Sequence, residues 1–251
     1  ETDFNGRKLL DGSFDATFQI GANAGQTLNI SIAELTAEKL GSAATAGITA
    51  IGNSNALANG DLIINGVAIA ASTAGDDTSS TANAASSAIA KVEAINRHTD
   101  ETGVTATASP NSIEGTSIAA GTATAVAAEA VSINGVSITL SVAAVETESA
   151  LKNVADTINT KQDLTGVTAS VVETSTGFRV DLAAADGRNI TVDTTTGGAE
   201  DFGLHDDGTD GDSITYLGNV TLTSKDGSDI TLGTNTENID NFGFEAGTYS
   251  G

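Results

Sequence analysis

The chain has 251 residues, 39% of them hydrophobic, and its 33 acidic against 10 basic side chains give a formal net charge of −23. That length can bury a core in two or more domains, and the charge repels a phosphate backbone, so no nucleic-acid partner is expected. With no Cys, Met or Trp and one Pro, disulfides, thiol chemistry and Cys-ligated zinc are excluded, and the core must rest on Val, Ile, Leu and Ala. No run approaches the roughly 18 apolar residues of a membrane span, and Glu1-Thr2-Asp3 lacks the basic start of a signal peptide. No membrane partner is expected.

Beyond an opening stretch, Ser/Thr/Ala/Gly-rich loops separate short alternating strand patterns. Ile64-Asn65-Gly66-Val67 places Asn-Gly between apolar runs, the pattern of a tight hairpin whose two turn residues take positive φ. A helix is predicted over 83–99, with Ile89, Val92 and Ile95 on one stripe. Thr102-Gly103-Val104-Thr105-Ala106 then turns into a strand.

The same succession recurs. Ile133-Asn134-Gly135-Val136 predicts a second hairpin, and residues 148–161, with Leu151, Val154 and Ile158, predict a second helix. Thr165-Gly166-Val167-Thr168-Ala169 repeats the turn into a strand. From Gly66 to Gly103 is 37 residues and from Gly135 to Gly166 is 31, which places six extra residues in the polar loop around 75–81.

A further repeat lies at a constant offset of 40 residues: Val180, Leu182, Asp186-Gly187, Asn189 to Val192 and Asp201-Phe202-Gly203 recur as Val220, Leu222, Asp226-Gly227, Asp229 to Leu232 and Asn241-Phe242-Gly243. Each Asp-Gly is expected to close a hairpin. Only the second helix has such a piece directly after it. The later piece can therefore complete the first copy if the second copy is inserted within it.

The fold expected is α+β: small modules of β-hairpins packed on one helix, one module inserted in the other, plus a short β-rich stem. Residues 1–35 and 244–251 would form the stem, 36–110 with 212–243 a discontinuous first domain, and 111–211 an inserted second domain. A linear series of three small units is the rival arrangement.

The paired Ile-Asn-Gly-Val hairpins, each followed by a helix and Thr-Gly-Val-Thr-Ala, resemble the repeated motif in the variable outer region of bacterial flagellins. Phe4-Asn-Gly-Arg-Lys-Leu-Leu-Asp-Gly12 with Phe18-Gln-Ile-Gly-Ala-Asn23 resembles the strand-rich portion beside the flagellin core. The resemblance implies a structural subunit of an extracellular motility filament, with this region surface-exposed, other flagellin subunits as partners of the full-length protein, and host receptors or antibodies as possible binders. The long terminal helices through which flagellins polymerise have no counterpart here, so a chain of this extent is expected to be monomeric. Hook-associated and filament-cap proteins carry similar modules, and an acidic extracellular adhesin is an alternative from another class.

Chemistry is not nominated. His98 and His205 do not form the His-Glu-x-x-His zinc motif, and no Gly-x-Ser-x-Gly spacing occurs for a nucleophilic serine. No catalytic, cofactor-binding or metal residue and no cofactor is expected. The acidic stretch His205-Asp-Asp-Gly-Thr-Asp-Gly-Asp-Ser213 could attract Ca²⁺, but from Asp206 its third position is Gly208 and its twelfth Leu217, unlike an EF-hand, so a solvated linker is expected at 206–212. Asn29, Asn189 and Asn219 match the N-glycosylation pattern within predicted strands. The Ser/Thr-rich stretches 73–80 and 116–124 are expected to be accessible to O-glycosylation, which the family resemblance implies.

Overall fold

The computed structural model describes residues 47–50, 55–194, 198–205 and 213–250, together with the backbone of four short strands nearer the start. Residues 1–46 and 47–251 form two compact units. In the first, β1 (Asp3–Phe4) pairs antiparallel with β2 (Arg7–Lys8), and β3 (Asp15–Gln19) with β4 (Thr27–Ser31). The rest of the two opening motifs lies outside the described residues.

The second unit is mixed α and β with antiparallel sheets. In chain order it runs β5 (Ile48–Ala50), β6 (Ile63–Ile64), β7 (Val67–Ala68), α1 (Ala88–Asn96), α2 (Thr99–Thr102) and β8 (Val104–Ala108). Then follow β9 (Asn111–Ile113), β10 (Ile118–Ala119), β11 (Val126–Ile133), β12 (Val136–Val142), α3 (Thr147–Asn159), α4 (Gln162–Thr165), β13 (Thr168–Glu173), β14 (Gly177–Ala184) and β15 (Ile190–Thr194). The last four strands are β16 (Ser213–Tyr216), β17 (Val220–Ser224), β18 (Ile230–Gly233) and β19 (Gly247–Tyr249).

Both Asn-Gly hairpins form. Asn65 and Asn134 sit at φ 51° and 48°, Gly66 and Gly135 at 85° and 77°, the left-handed pair that matches the twist of the flanking strands. Each asparagine side chain then does a second job. Asn134 Nδ2 donates to Thr165 O at 2.9 Å and its Oδ1 accepts from Thr191 N at 2.8 Å. Asn65 does the same with Thr102 O and Thr231 N, both at 2.8 Å. A second pair of asparagines repeats this economy, because Asn96 brackets the backbone of Ala106 and Asn159 that of Ala169 through both amide atoms. The two copies are thus held by equivalent bonds.

The helices are shorter than their periodicity suggests. Residues Ala84–Ser86 form a 3₁₀ turn, and α1 starts only where Ser87 caps it by accepting from Ala90 N at 3.1 Å. It buries Ala88, Ala90, Lys91, Ala94 and Ile95, with Ile89 and Val92 half-buried, so the stripe is rotated from the one expected. Helix α3 buries Leu151, Val154 and Ile158 as its spacing requires, each such burial being worth about 1.5–3 kcal/mol. Gly103 and Gly166, at φ 70° and 69°, end the short helices that follow.

The Asp-Gly turns are not hairpins. β14 pairs with β9, β10 and β13, whereas β15 pairs with β11 and β16. Likewise β17 pairs with β5 and β8, and β18 with β6 and β19. Each turn carries the chain from one sheet to another. The reason is visible in the second copy, where the residues after Gly187 find partners elsewhere: Asn189 N donates to Ser80 Oγ, and the Arg188 guanidinium reaches Thr165 O.

Two apolar clusters result. One gathers Ala50, Leu57, Leu62, Ile64 and Ile69, the buried face of α1, Val104 and Ala106, and then Val220, Leu222, Ile230, Leu232, Ile239 and Phe242. The other draws on residues between Ile113 and Leu204, with α3 packed against β12, β13 and β14. Residues Gly247–Tyr249, expected beside the stem, pair with β18, and Phe244 and Tyr249 pack on the first cluster.

Candidate functional site

The chain passes between the two clusters twice, and the crossing strands touch. Val220 pairs with Ala108, Ser109 N donates to Asn219 O at 2.9 Å, and the Ser109 and Thr221 hydroxyls lie 3.2 Å apart. Asn111, buried, spans the gap by donating from Nδ2 to Tyr216 O at 2.9 Å and Arg188 O at 3.1 Å. Two glycines let backbones close in. A Cβ on Gly187 would meet Ser109 O at 2.8 Å, and one on Gly218 would meet Gly187 O at 2.7 Å. Bonds and close approaches thus tie the two crossing strands to each other.

Beside the joint is an open hollow of about 540 Å³ lined by residues 111–114, His205 and 215–217. His205 Nδ1 lies 2.8 Å from Glu114 O, and the imidazole stands edge-on to Tyr216 at 5.2 Å between ring centres. Arg179 is bonded to Asp181 and reaches Glu114 at 3.1 Å. These contacts engage the imidazole and guanidinium in holding strands. They do not converge on a point where a substrate atom could react.

The first cluster contains a polar group that its copy lacks. Lys91 is 1% exposed, and its Nζ donates to Asn241 O at 2.8 Å. Burial pulls its pKa from 10.5 down to about 8. Asn241 Nδ2 in turn donates at 2.9 Å to Asp61, itself buried, which also accepts from Ala58 N and the Thr236 hydroxyl. Burial raises the Asp61 carboxyl, but the bonds from Thr236, Asn241 and Ala58 outweigh it and leave the pKa below its ordinary value. The residue equivalent to Lys91 in the second copy is Val154. Nothing in the spacing of the sequence singled out this lysine; only comparison of the two copies, position by position, exposes it.

The residues weighed from sequence are scattered. His98 lies 3.5 Å from Glu101, far along the chain from His205. The 206–212 loop lies outside the described residues, and among those described no three His, Cys, Asp or Glu gather as a metal site. Asn189 and Asn219 sit just before β15 and β17 rather than within them, and Asn189 is 1% exposed, closed to a glycan. Thr73, Thr78, Ser117, Thr122 and Thr124 are exposed, whereas Ser80 is buried. Among the described residues no helix is long and apolar enough to cross a membrane.

No protein-family model matches the chain. Over 242 residues it is 31% identical to flagellin B of Helicobacter pylori, in both strain 26695 and strain J99, a match covering 88% of this chain and 43% of each relative. The chain is flagellin-like. A 42-residue stretch of this flagellin-like chain is 55% identical to the B-type flagellin of Pseudomonas aeruginosa and to the putative flagellin YvzB of Bacillus subtilis. That stretch is 16% of this chain, 9% of the Pseudomonas protein and 26% of the Bacillus one. The flagellin-like chain spans less than half the length of the Helicobacter relatives.

Proposed function

We propose that this chain is the surface-exposed outer portion of a structural subunit of the bacterial flagellar filament, and that its work is filament architecture and surface presentation rather than catalysis. The observation that carries this is the 31% identity to flagellin B along 88% of the chain, joined to an architecture of duplicated modules rather than a convergent polar pocket. Other flagellin subunits are the partners of the full-length protein, the location is extracellular, and the outer face is where receptors or antibodies would meet it. A net charge of −23 suits a surface that must stay soluble when many copies are displayed side by side.

Within the chain we read a nested arrangement. A first domain holds the material before residue 111 from about residue 47, and again after residue 217, with 244–250 joined to it through β19. The second domain, 111–217, is inserted between. The in-register pairing of β17 with β8 and the two separate apolar clusters support this over three units in series. Insertion joins both ends of the second domain to the first.

Antibody raised against this chain tests the assignment by immunogold electron microscopy of intact source cells. Label along the whole filament is expected. Label confined to the hook junction or the distal tip would favour a hook-associated or cap protein and overturn the filament assignment.

A further inference from the structure

The two copies differ most in the loop that leads into the helix. In the second copy, four residues, 143–146, separate β12 from α3. In the first, the equivalent loop is 74–83, which is where the six extra residues fall: Asn65 reaches Thr102 across 37 positions, and Asn134 reaches Thr165 across 31. This insertion is not slack. Asp76 caps its first turn through Thr73 and pairs with Arg97 at 2.6 Å, and Arg97 also donates to Ala71 O. Asp77 is buried and accepts from Ser79 N at 2.8 Å and Ser80 N at 3.0 Å.

So shaped, the loop presents its acceptors to the second copy. Ser80 Oγ accepts from Asn189 N at 2.9 Å, while Ala82 O and Asn83 O accept from Asn189 Nδ2 at 3.0 and 3.2 Å. Asn189 is 1% exposed and Ser80 9%. Next to it Arg188 lies over Gly166, where a Cβ would sit 2.2 Å from the guanidinium carbon. Its pKa is raised by the bond to Asp186 first, against burial, and by the charges of Asp186 and Asp77.

The duplication supplies its own control. At the 40-residue offset Asn189 corresponds to Asp229 and Arg188 to Ser228, and both of those are exposed. Hence each side of the contact is a departure from the repeat, and the two departures meet. An insertion with no partner would cost chain entropy for no contact.

We propose that the 74–83 insertion is a latch, specific to this pairing of modules, that fixes the inserted domain at one angle on the first. This rests on the nested reading above. Without the latch, the joint is two crossing strands, a form of connection that leaves domains free to move relative to one another. With it, the loop before α1 adds a third point of contact, at Asn189, to the two crossing strands. The latch converts two modules into one rigid arm.

The test compares the unaltered chain with Asn189→Ala, Ser80→Ala and the control Asp229→Ala. Residual dipolar couplings are read from amides of 104–108 and 220–224 for the first domain and of 168–184 for the second. One alignment tensor should fit both groups in the unaltered chain and in D229A, and two should be needed in N189A, the second reduced by half or more. Hydrogen exchange of the amides at 80–83 and 186–190 should quicken at least tenfold in N189A while both cores keep their protection. A single tensor in N189A and S80A, with unchanged exchange at 80–83, would overturn the latch. If instead both cores lost protection together in N189A, they would not be separate bodies, and the nested reading would fall with it.

Discussion

Lys91 offers the sharpest test of the packing, because its cost can be worked out and switched off by pH. A lysine with a pKa of about 8 in the folded chain and 10.5 unfolded binds fewer protons folded than unfolded between those values, so stability rises with pH across that window. Below pH 8 the folded state carries the full penalty of a buried ammonium, about 3 kcal/mol at 1.36 kcal/mol per pKa unit. By pH 10 most of it is gone, and the neutral amine still donates to Asn241 O. Replacing Lys91 by Met removes the charge and keeps the length, but it leaves that carbonyl without its donor, at about 1–3 kcal/mol.

Lys91→Met should therefore stabilise the chain by about 1 kcal/mol at pH 7 and destabilise it by about as much at pH 10. Urea unfolding of both proteins across pH 7 to 10, followed by the change in their difference, isolates the lysine from every other titrating group. That difference should move by about 2.5 kcal/mol. A pH-independent difference would refute the claim that a charged lysine is held in the core. The reciprocal variant, Val154→Lys, puts the same charge where β12, β13 and β14 pack on α3. It should cost more than 3 kcal/mol, as an unmatched buried charge does.

The clamps and the joint yield three further expectations. Asn134→Ala should cost about 2–4 kcal/mol by urea unfolding, since it strips two buried bonds and puts Ala at positive φ; Asn65→Ala, at an exposed turn, should cost about half that, and equal costs would refute the burial argument. Gly187→Ala should destabilise by more than 2 kcal/mol and speed proteolysis near 109–111, because its Cβ would strike Ser109 O. Gly66→Ala, at φ 85° but with open space around it, should cost only about 1 kcal/mol. The Asp76 pKa lies below its ordinary 3.8, chiefly because of the Arg97 bond, and so does that of Asp77, where the Ser80, Ser87 and Ser79 bonds outweigh burial. Their stabilisation is present above pH 3.8 and lost as pH falls through the lowered values, so exchange at 74–83 should quicken there before that at 151–158 does. An unchanged order of exchange on acidification would count against it.

What could be read from the sequence was what a short stretch determines by itself. Asn-Gly between β-branched runs demands two left-handed residues, and both hairpins formed. The spacing of Leu151, Val154 and Ile158 fits only a helix with one buried face. The likeness to flagellins was legible in the same short motifs. The Asp-Gly segments were misread because a turn dipeptide specifies that the chain reverses, not which strand it then pairs with; that was decided by partners as distant as Ser80 and Thr165. The rotated face of α1 was hidden for a related reason, since a lysine does not count as core in any periodicity.

The duplication adds a kind of evidence that neither periodicity nor composition holds. Where both copies keep a residue in the same bonds, as at Asn65 and Asn134 or Asn96 and Asn159, the module's own architecture explains it. Where they differ, the module cannot be the reason. Lys91 against Val154, the 74–83 loop against 143–146, and Asn189 against Asp229 are such differences, and the last two lie in contact with each other. A mutation at a shared position should therefore damage the fold of its own copy, whereas one at an unshared position at the joint should alter how the two copies stand relative to each other. Asn134→Ala and Asn189→Ala place that distinction side by side: the first should lower the stability of the second core alone, whereas the second, which strips the bonds to Ala82 O and Asn83 O between the copies, should also change the angle at which they stand.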